Sequence, residues 1–589
     1  MNPRAFAAIF GLSILMVGPT ALWSRDTVAG GGVDLPGTIW IHWWIRWCVE
    51  HAHLPVTTDL LFYPDGKNFF NDTGANYVDA LLGVPLQWAF GSPDFLDFLN
   101  VVILVGNGVA VHLLIDDVTE RAAPWATLAG TVAFLLSPFC LLHLADGRPT
   151  QLLLWFAILG VRHALRLADG DWRQGALFGL CTALQAWTYW YTAYFTAIAL
   201  LPVVLVQVAR SPRNTLFNLS IAVGITFALC GPALLAISQE IAAGNVHRVS
   251  YADWREAVSG PVDQVNVDWD QAAAAHPARW RTVLGSFQRA YILILVLLAF
   301  AAGRRAAWLL LGAGLGLWFA FGGRMESWDN PPYVLLWQWL PLLKRLGFPD
   351  RILAWTYLFF AAAGAITLAR VDRVWSWLFI VVALGEAMWR NDAPVNVSRY
   401  RFPPATQRVA AEGGAVVHVP LFFAEVGMVY QTRYGQPMLG GMGEHEDDLR
   451  PGTFRPRIEQ NGFLTMLFAT ATDTEVPIPY TLEERAAVAA QYRWVWLDRR
   501  YAPAAWRNVT YSHSGVYARF VTELGPPAVV DNTHALWDLH AELPTNTPSL
   551  LSTAPRTGAE LGRLIDAGAG PGAELTLRPP DAAPPGAAP

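Results

Sequence analysis

The chain has 589 residues, of which 53% are hydrophobic and only 15% charged, with a formal net charge of -6. Soluble globular proteins average about 25% charged residues, so an ordinary soluble enzyme is excluded, and the negative balance argues against a nucleic-acid partner. Of the four cysteines, three (Cys140, Cys181, Cys230) fall in apolar runs, which excludes a disulfide framework and zinc spacing; no Gly-rich phosphate loop of a standard type is present.

A membrane-crossing helix needs about 20 mostly apolar residues. The first such run is 6–23, preceded by Arg4, and reads as a retained anchor because more runs follow. Next comes GGGVDLPGTIWIHWWIRWC, in which Asp34 is followed by Trp40, Trp43, Trp44 and Trp47 at helical spacing, with His42 and Arg46 opposite. A Trp face against a charged face predicts a helix lying in the lipid headgroup layer; an ordinary amphipathic loop helix is the alternative. The segment 77–90 is apolar but short and contains Pro85, so it is expected to be interfacial or re-entrant rather than a crossing. Further runs at 95–115, 125–144, 151–167, 175–191, 192–208, 216–238, 291–302, 307–321, 352–368 and 374–388 bring the expectation to about eleven crossings.

Arginines mark the inner ends of spans. Arg4, Arg121, Arg162, Arg166, Arg173, Arg210, Arg213, Arg304, Arg305, Arg370 and Arg373 all fall on one side only if 77–90 does not cross. The N-terminus is then cytoplasmic and the C-terminus extracytoplasmic. The long loops, 24–94 and 240–289 among them, lie outside. The expected architecture is mainly α: a polytopic membrane helical bundle over 1–392, a C-terminal extracytoplasmic α/β domain over 393–542, and a Pro/Ala/Gly-rich tail over 543–589. Strands are predicted at 415–419, 493–497 and 516–521, and a helix at 482–492.

Four outer clusters could carry chemistry. Asp34 can accept a proton, or hold a divalent cation such as Mg or Mn; it can equally cap the helix that Pro36 begins. His143, Asp146, Arg148 and Gln151 lie in LLHLADGRPTQ at a span end, either as one wall of an outward cavity with Asp146 as partner carboxylate or as a solvated connector. Lys344, Arg345 and Arg351, in LKRLGFPDR, are basic residues on the side where basic residues are disfavoured; they suit a lipid-borne phosphate or plain anchoring to anionic lipid. WTYWYTAY at 187–194 brings Tyr189 and Tyr191 to a turn between spans. The acidic run at 444–448 reads as a solvated loop.

Taken in order, these pieces resemble the GT-C superfamily of integral membrane glycosyltransferases. The resemblance rests on an acid soon after the first span, a long first outer loop with two juxtamembrane helices, TDLLFYPDG at 58–66, SPFCLLHLADGRPTQ at 137–151, LKRLGFPDR at 343–351, and VVHVPL, YQTRYGQPMLGG and RWVWLDRR in the soluble part. It differs in having Arg148 where such proteins more often have His, and no Asp-x-Asp or Glu-x-Asp in the first loop, which leaves a metal open. The resemblance implies transfer of a sugar from a polyprenyl-phosphate-linked donor to an extracytoplasmic glycan, lipid or protein acceptor at the bilayer of the inner membrane. It implies Asp34 as the catalytic acid-base residue and Arg351, with Lys344 and Arg345, at the carrier phosphate. Apart from the resemblance, Tyr189 and Tyr191 are suited either to stack on a sugar ring or simply to mark the interface. A non-catalytic transporter or flippase of lipid-linked saccharide, or an inactive scaffold of the same fold, are the alternatives. A transporter calls for charges in mid-span, and Glu386 is the nearest to one.

Overall fold

A buried helix, Leu353–Leu368, is the axis on which the bundle is built. In this computed structural model, which describes residues 1–32, 34–70, 77–121, 123–242, 287–321, 324–325, 328–329, 333, 349–419, 424–441, 451–471, 478–499 and 513–542, helices dominate. Only Thr367 of the axial helix is not fully buried. Its run of alanines and Gly364 explains how neighbours close in: a Cβ at Gly364 would come within 2.8 Å of Leu295, and one at Gly130 would lie 3.0 Å from the Ala361 carbonyl. Between apolar helices in lipid, small residues supply the close approach that a hydrophobic drive does not.

Three helices among the described residues are long and apolar enough to cross a membrane: Phe95–Val118, Pro212–Gln239 and Asp350–Leu368. Two bent pairs raise this to five, Pro124–Leu135 with Pro138–Ala145 (44°) and Trp190–Ala199 with Leu201–Arg210 (48°). Proline sits in the first turn after each bend, where its missing N–H and fixed φ begin a helix but cannot continue one. The other expected crossings correspond to shorter pieces. The first run stops at Gly18 (φ 94°) and resumes as Pro19–Trp23, and 151–167 divides into Pro149–Leu152 and Trp155–Ala164. Glu386 is not in mid-bundle. Its carboxylate accepts the Ala290 and Tyr291 N–H groups, both at 3.1 Å, and pairs with Arg390, so it caps the helix Ala290–Ala301.

The Trp helix, Leu35–Glu50, corrects the headgroup expectation. Its indoles do share a face, but protein covers that face: Trp40, Trp43 and Trp44 are buried. Trp44 stacks on Phe69 at 4.3 Å, and the Trp40 Nε1–H donates to Gln431 Oε1 at 2.5 Å. The opposite face is no headgroup stripe either, since His42 is buried against Phe95 and Arg46 pairs with Glu50 at 3.4 Å. Periodicity reports that a face is covered, not what covers it.

That cover is the C-terminal part of the chain. Val416–Val419 runs parallel to Trp494–Asp498, which is antiparallel to His534–Asp538, with Val529–Val530 at the far edge. Residues 516–521, expected as a strand, lie instead in the helix His513–Leu524. Val516, Tyr517, Phe520, Val521 and Leu524 turn one helical stripe toward the sheet and its neighbours. One hydrophobic core runs from Trp40, Leu61 and Phe69 through Met438, Tyr480 and Val495 to Trp537. The composition change near 393 therefore does not mark a break in packing. A second tie is the antiparallel pairing of Thr27–Ala29 with Val397–Arg399.

Gln431 knots the two halves of this core. Fully buried, it accepts from Trp40 and donates to the Leu60 and Gln436 carbonyls at 2.8 and 2.7 Å. Leucine at this position would orphan the Trp40 N–H and the Gln436 carbonyl, while the Leu60 carbonyl keeps the Met438 N–H at 2.9 Å, so Gln431→Leu is expected to destabilise by about 1–3 kcal/mol per group left unpaired. The thermal midpoint of the purified protein should fall by several degrees; an unaltered midpoint would refute the knot.

Candidate active site

Asp34 is delivered by backbone packing. The Asp26 and Ala29 N–H groups donate to the Asp94 and Asp97 carboxylates at 2.9 and 2.7 Å, aligning the strand that precedes it. Gly30, Gly31 and Gly32 then lie flush on the turn that ends the helix Pro138–Ala145. The Gly31 N–H donates to the Ala145 carbonyl at 2.8 Å, and a Cβ on Gly32 would sit 2.5 Å from the Asp146 carbonyl oxygen. Gly30 has φ +100°, and a Cβ there would meet the Leu144 carbonyl at 2.8 Å. Only glycine lets these two backbones touch.

As a result Asp34 faces Arg148, 114 residues further on: Arg148 Nε lies 2.5 Å from Asp34 Oδ2, and Nη1 lies 2.9 Å from Asp146 Oδ2. Asp34 occupies the N-cap position of the Trp helix, but its side chain makes no cap bond. The carboxylate is spent on the guanidinium instead, in a charge-assisted pair. The Asp34 side chain keeps 48% of its surface accessible, against 22% for Arg148, so it remains reachable from solvent. Burial pushes the Asp146 carboxyl up from its ordinary range; Arg148 opposes this, Asp34 adds to it, and Arg351 opposes it. Arg351 is thus within electrostatic reach of the pair, and Asp34 acts on Arg351 in turn.

Arg351 stands on the turn Pro349–Ile352 that leads into the axial helix. It donates to the Tyr189 hydroxyl, and its guanidinium carbon lies 5.5 Å from the centre of that ring. Tyr189 is the extended residue between the helices Trp172–Thr188 and Trp190–Ala199, and its ring is 5.2 Å from that of Tyr191. His143 is buried edge-on to Phe139 at 4.3 Å, and its carbonyl accepts the Arg148 N–H at 2.9 Å, so it shapes the turn from beneath. Gln151 follows in the short helix Pro149–Leu152, half-buried. Lys344, Arg345 and the acidic run 444–448 lie outside the described residues.

A divalent cation does not fit the Asp34–Asp146 pair as it stands. Arg148 already supplies the positive charge between the two carboxylates, and among the described residues no three His, Cys, Asp or Glu side chains gather as ligands.

Sequence reading missed a buried link behind the site. The Thr150 hydroxyl donates to Asp79 Oδ2, and His42 Nε2 lies 3.6 Å from the same oxygen. His42 Nδ1, 2.8 Å from the Thr38 carbonyl, must carry the proton of that bond. Burial pushes Asp79 up to about 7, and His42 down to about 4. His42 is therefore neutral, and the two do not form an ion pair. The available signal was a lone carboxylate in YVDALLGVPLQWAF.

No family model and no curated protein matches the sequence. Among solved structures, the arabinofuranosyltransferase AftD from Mycobacteria aligns over 92% of this chain with a TM-score of 0.56 at 13% identity. The chain therefore shares its fold with AftD. The chain spans 42% of the length of AftD. The Archaeoglobus fulgidus oligosaccharyltransferase in the apo form gives a TM-score of 0.44 at 11% identity over 85% of this chain and 70% of that one. The same organism's oligosaccharyltransferase AglB, in complex with an inhibitory peptide and a dolichol-phosphate, gives 0.45 at 11% over 84% and 69%.

Proposed function

We propose that this chain is a membrane glycosyltransferase that moves a sugar from a polyprenyl-phosphate-type donor to an acceptor outside the cytoplasmic membrane. The observation that carries the reading is the meeting of Asp34, Arg148, Asp146 and Arg351, from three separate stretches of the chain, beside Tyr189 and Tyr191. The fold shared with AftD supports it. In this reading the acceptor hydroxyl loses its proton to the Asp34 carboxylate as its oxygen bonds to the anomeric carbon. The bond from that carbon to the carrier phosphate breaks, and its electron pair leaves on the phosphate. Arg351 offsets the charge that develops there, while Arg148 fixes the orientation of Asp34. The tyrosine rings offer faces for the sugar. Lys344 and Arg345 are proposed as further partners of the phosphate.

The proposed setting is the inner membrane, with the N-terminus cytoplasmic, about eleven crossings, and the site and the C-terminal sheet outside. Exposed indoles suit both boundaries: Trp23, Trp88 and Trp389 at ends assigned to the outside, and Trp172, Trp375 and Trp377 at ends assigned to the inside. The capping role of Glu386 weighs against a transporter with a charge in mid-span.

The test is a transfer assay in proteoliposomes carrying polyprenyl-phosphate sugars labelled in the sugar. Label should leave the carrier in the presence of extracytoplasmic acceptors extracted from the native envelope. If label stays on the polyprenol and merely changes leaflet, the transporter reading takes over. Arg351→Gln, which removes the cation, should lower kcat/KM by about 10–100-fold, and a variant with wild-type efficiency would remove Arg351 from the phosphate position.

A further inference from the structure

The acid and the arginine of the site are joined twice, once through space and once through a buried chain of contacts. Asp34 begins the Trp helix. That helix is held to the helix Tyr77–Phe90 by Gln87, which donates to the His42 carbonyl at 2.8 Å, and Gly83 lies close against the His42 ring. From the same second helix the fully buried Asp79 reaches Thr150, two residues beyond Arg148. Thr150 is itself buried in the turn that carries Arg148. The path Asp34, His42, Gln87, Asp79, Thr150, Arg148 and back to Asp34 closes a ring in which three contacts, His42 with Gln87, Asp79 with Thr150 and Arg148 with Asp34, alternate with stretches of backbone. A ring of this kind fixes the separation of its members more firmly than one partly exposed ion pair can.

We infer that Asp79 is a positioning residue for the site: by holding Thr150 it sets the place of Arg148, and so of Asp34, without touching substrate. This inference rests on the functional reading above only for its effect on ligand binding. The placement of the turn can be read separately.

The experiment uses the full chain in lipid nanodiscs, with undecaprenyl phosphate, a carrier without sugar, as the probe. Thr150→Val keeps the volume and removes the hydroxyl; Thr150→Ser restores it. Amide hydrogen exchange over 144–151 should rise at least tenfold in Thr150→Val and return to the wild-type rate in Thr150→Ser; the thermal midpoint should fall in Thr150→Val only by the few degrees that one buried carboxylate left unpaired costs, and recover in Thr150→Ser. Probe affinity should fall about tenfold in the first and recover in the second. If Thr150→Val does not fold, Thr150→Ala carries the same comparison. Unchanged exchange in the turn overturns the inference, as does a loss that Thr150→Ser fails to rescue or a rise in exchange that is equal throughout the chain. Arg351→Gln separates the two claims. If it leaves probe affinity unaltered, the phosphate-site reading fails, and the exchange data alone judge the role of Asp79.

Discussion

Asp34→Asn is expected to lower the rate of sugar transfer by about 10²–10⁴-fold, the range typical for loss of a positioned base. Asparagine has nearly the shape of aspartate and can still accept a hydrogen bond from Arg148 Nε, now 2.5 Å from the carboxylate. The geometry should therefore survive while the proton acceptor is lost. Binding of the donor should change little, because the phosphate is assigned to the cationic side of the site; the loss should appear in kcat. Asp146→Asn should cost less, since Asp146 holds the other edge of Arg148 and has no separate proton to take in this scheme. An Asp34→Asn enzyme turning over within about tenfold of wild type would remove Asp34 from the chemistry.

Gly32→Ala should be nearly as severe. The added methyl would lie 2.5 Å from the Asp146 carbonyl oxygen and 2.9 Å from the Asp146 Cα. Both are backbone atoms, so neither can swing aside. The stretch 30–34 must retreat by roughly an ångström, and displacements of that size near a reacting centre have lowered rates about 10²-fold. Gly31→Ala is the natural control: its Cβ would meet only the Ser398 hydroxyl, at 3.0 Å, a side chain that can rotate. We expect a loss of about 10²-fold in Gly32→Ala and only a few-fold change in Gly31→Ala, measured in the same proteoliposome assay. Equal effects would mean that contact with the 144–147 turn does not govern Asp34.

How far the sequence speaks for itself differs along the chain. The apolar runs announce a helical membrane bundle, because hydrophobic length is a local property. The strands at 416–419 and 494–498 are visible as β-branched and aromatic runs, whereas 516–521 misleads, since six residues of mixed character fit either period. The Trp helix is recognisable as a helix with one covered face, but its partner Gln431 lies 391 residues away and no local pattern points to it. At the site, Asp34, Asp146, Arg148 and Arg351 stand out as charges at span ends. That Arg148 is held between two carboxylates cannot be read locally, because the contact depends on Gly30 and Gly32 meeting a turn more than a hundred residues later. Asp79 escapes notice because a helix taken as interfacial makes one carboxylate unremarkable; its weight emerges only once both helix and partner are seen to be buried.

The shared core between the early loop and the C-terminal sheet has a consequence for biogenesis. During translation the four indoles of Leu35–Glu50 emerge long before Gln431, Met438, Tyr480 and Trp537 exist to cover them. Until synthesis is nearly finished, that segment must wait at the translocon exit or in the care of a chaperone, and a chain released early would hold the candidate nucleophile-activating acid on an unanchored scaffold. Premature stop codons even beyond residue 490 should then yield inserted but inert protein, prone to removal by quality-control proteases.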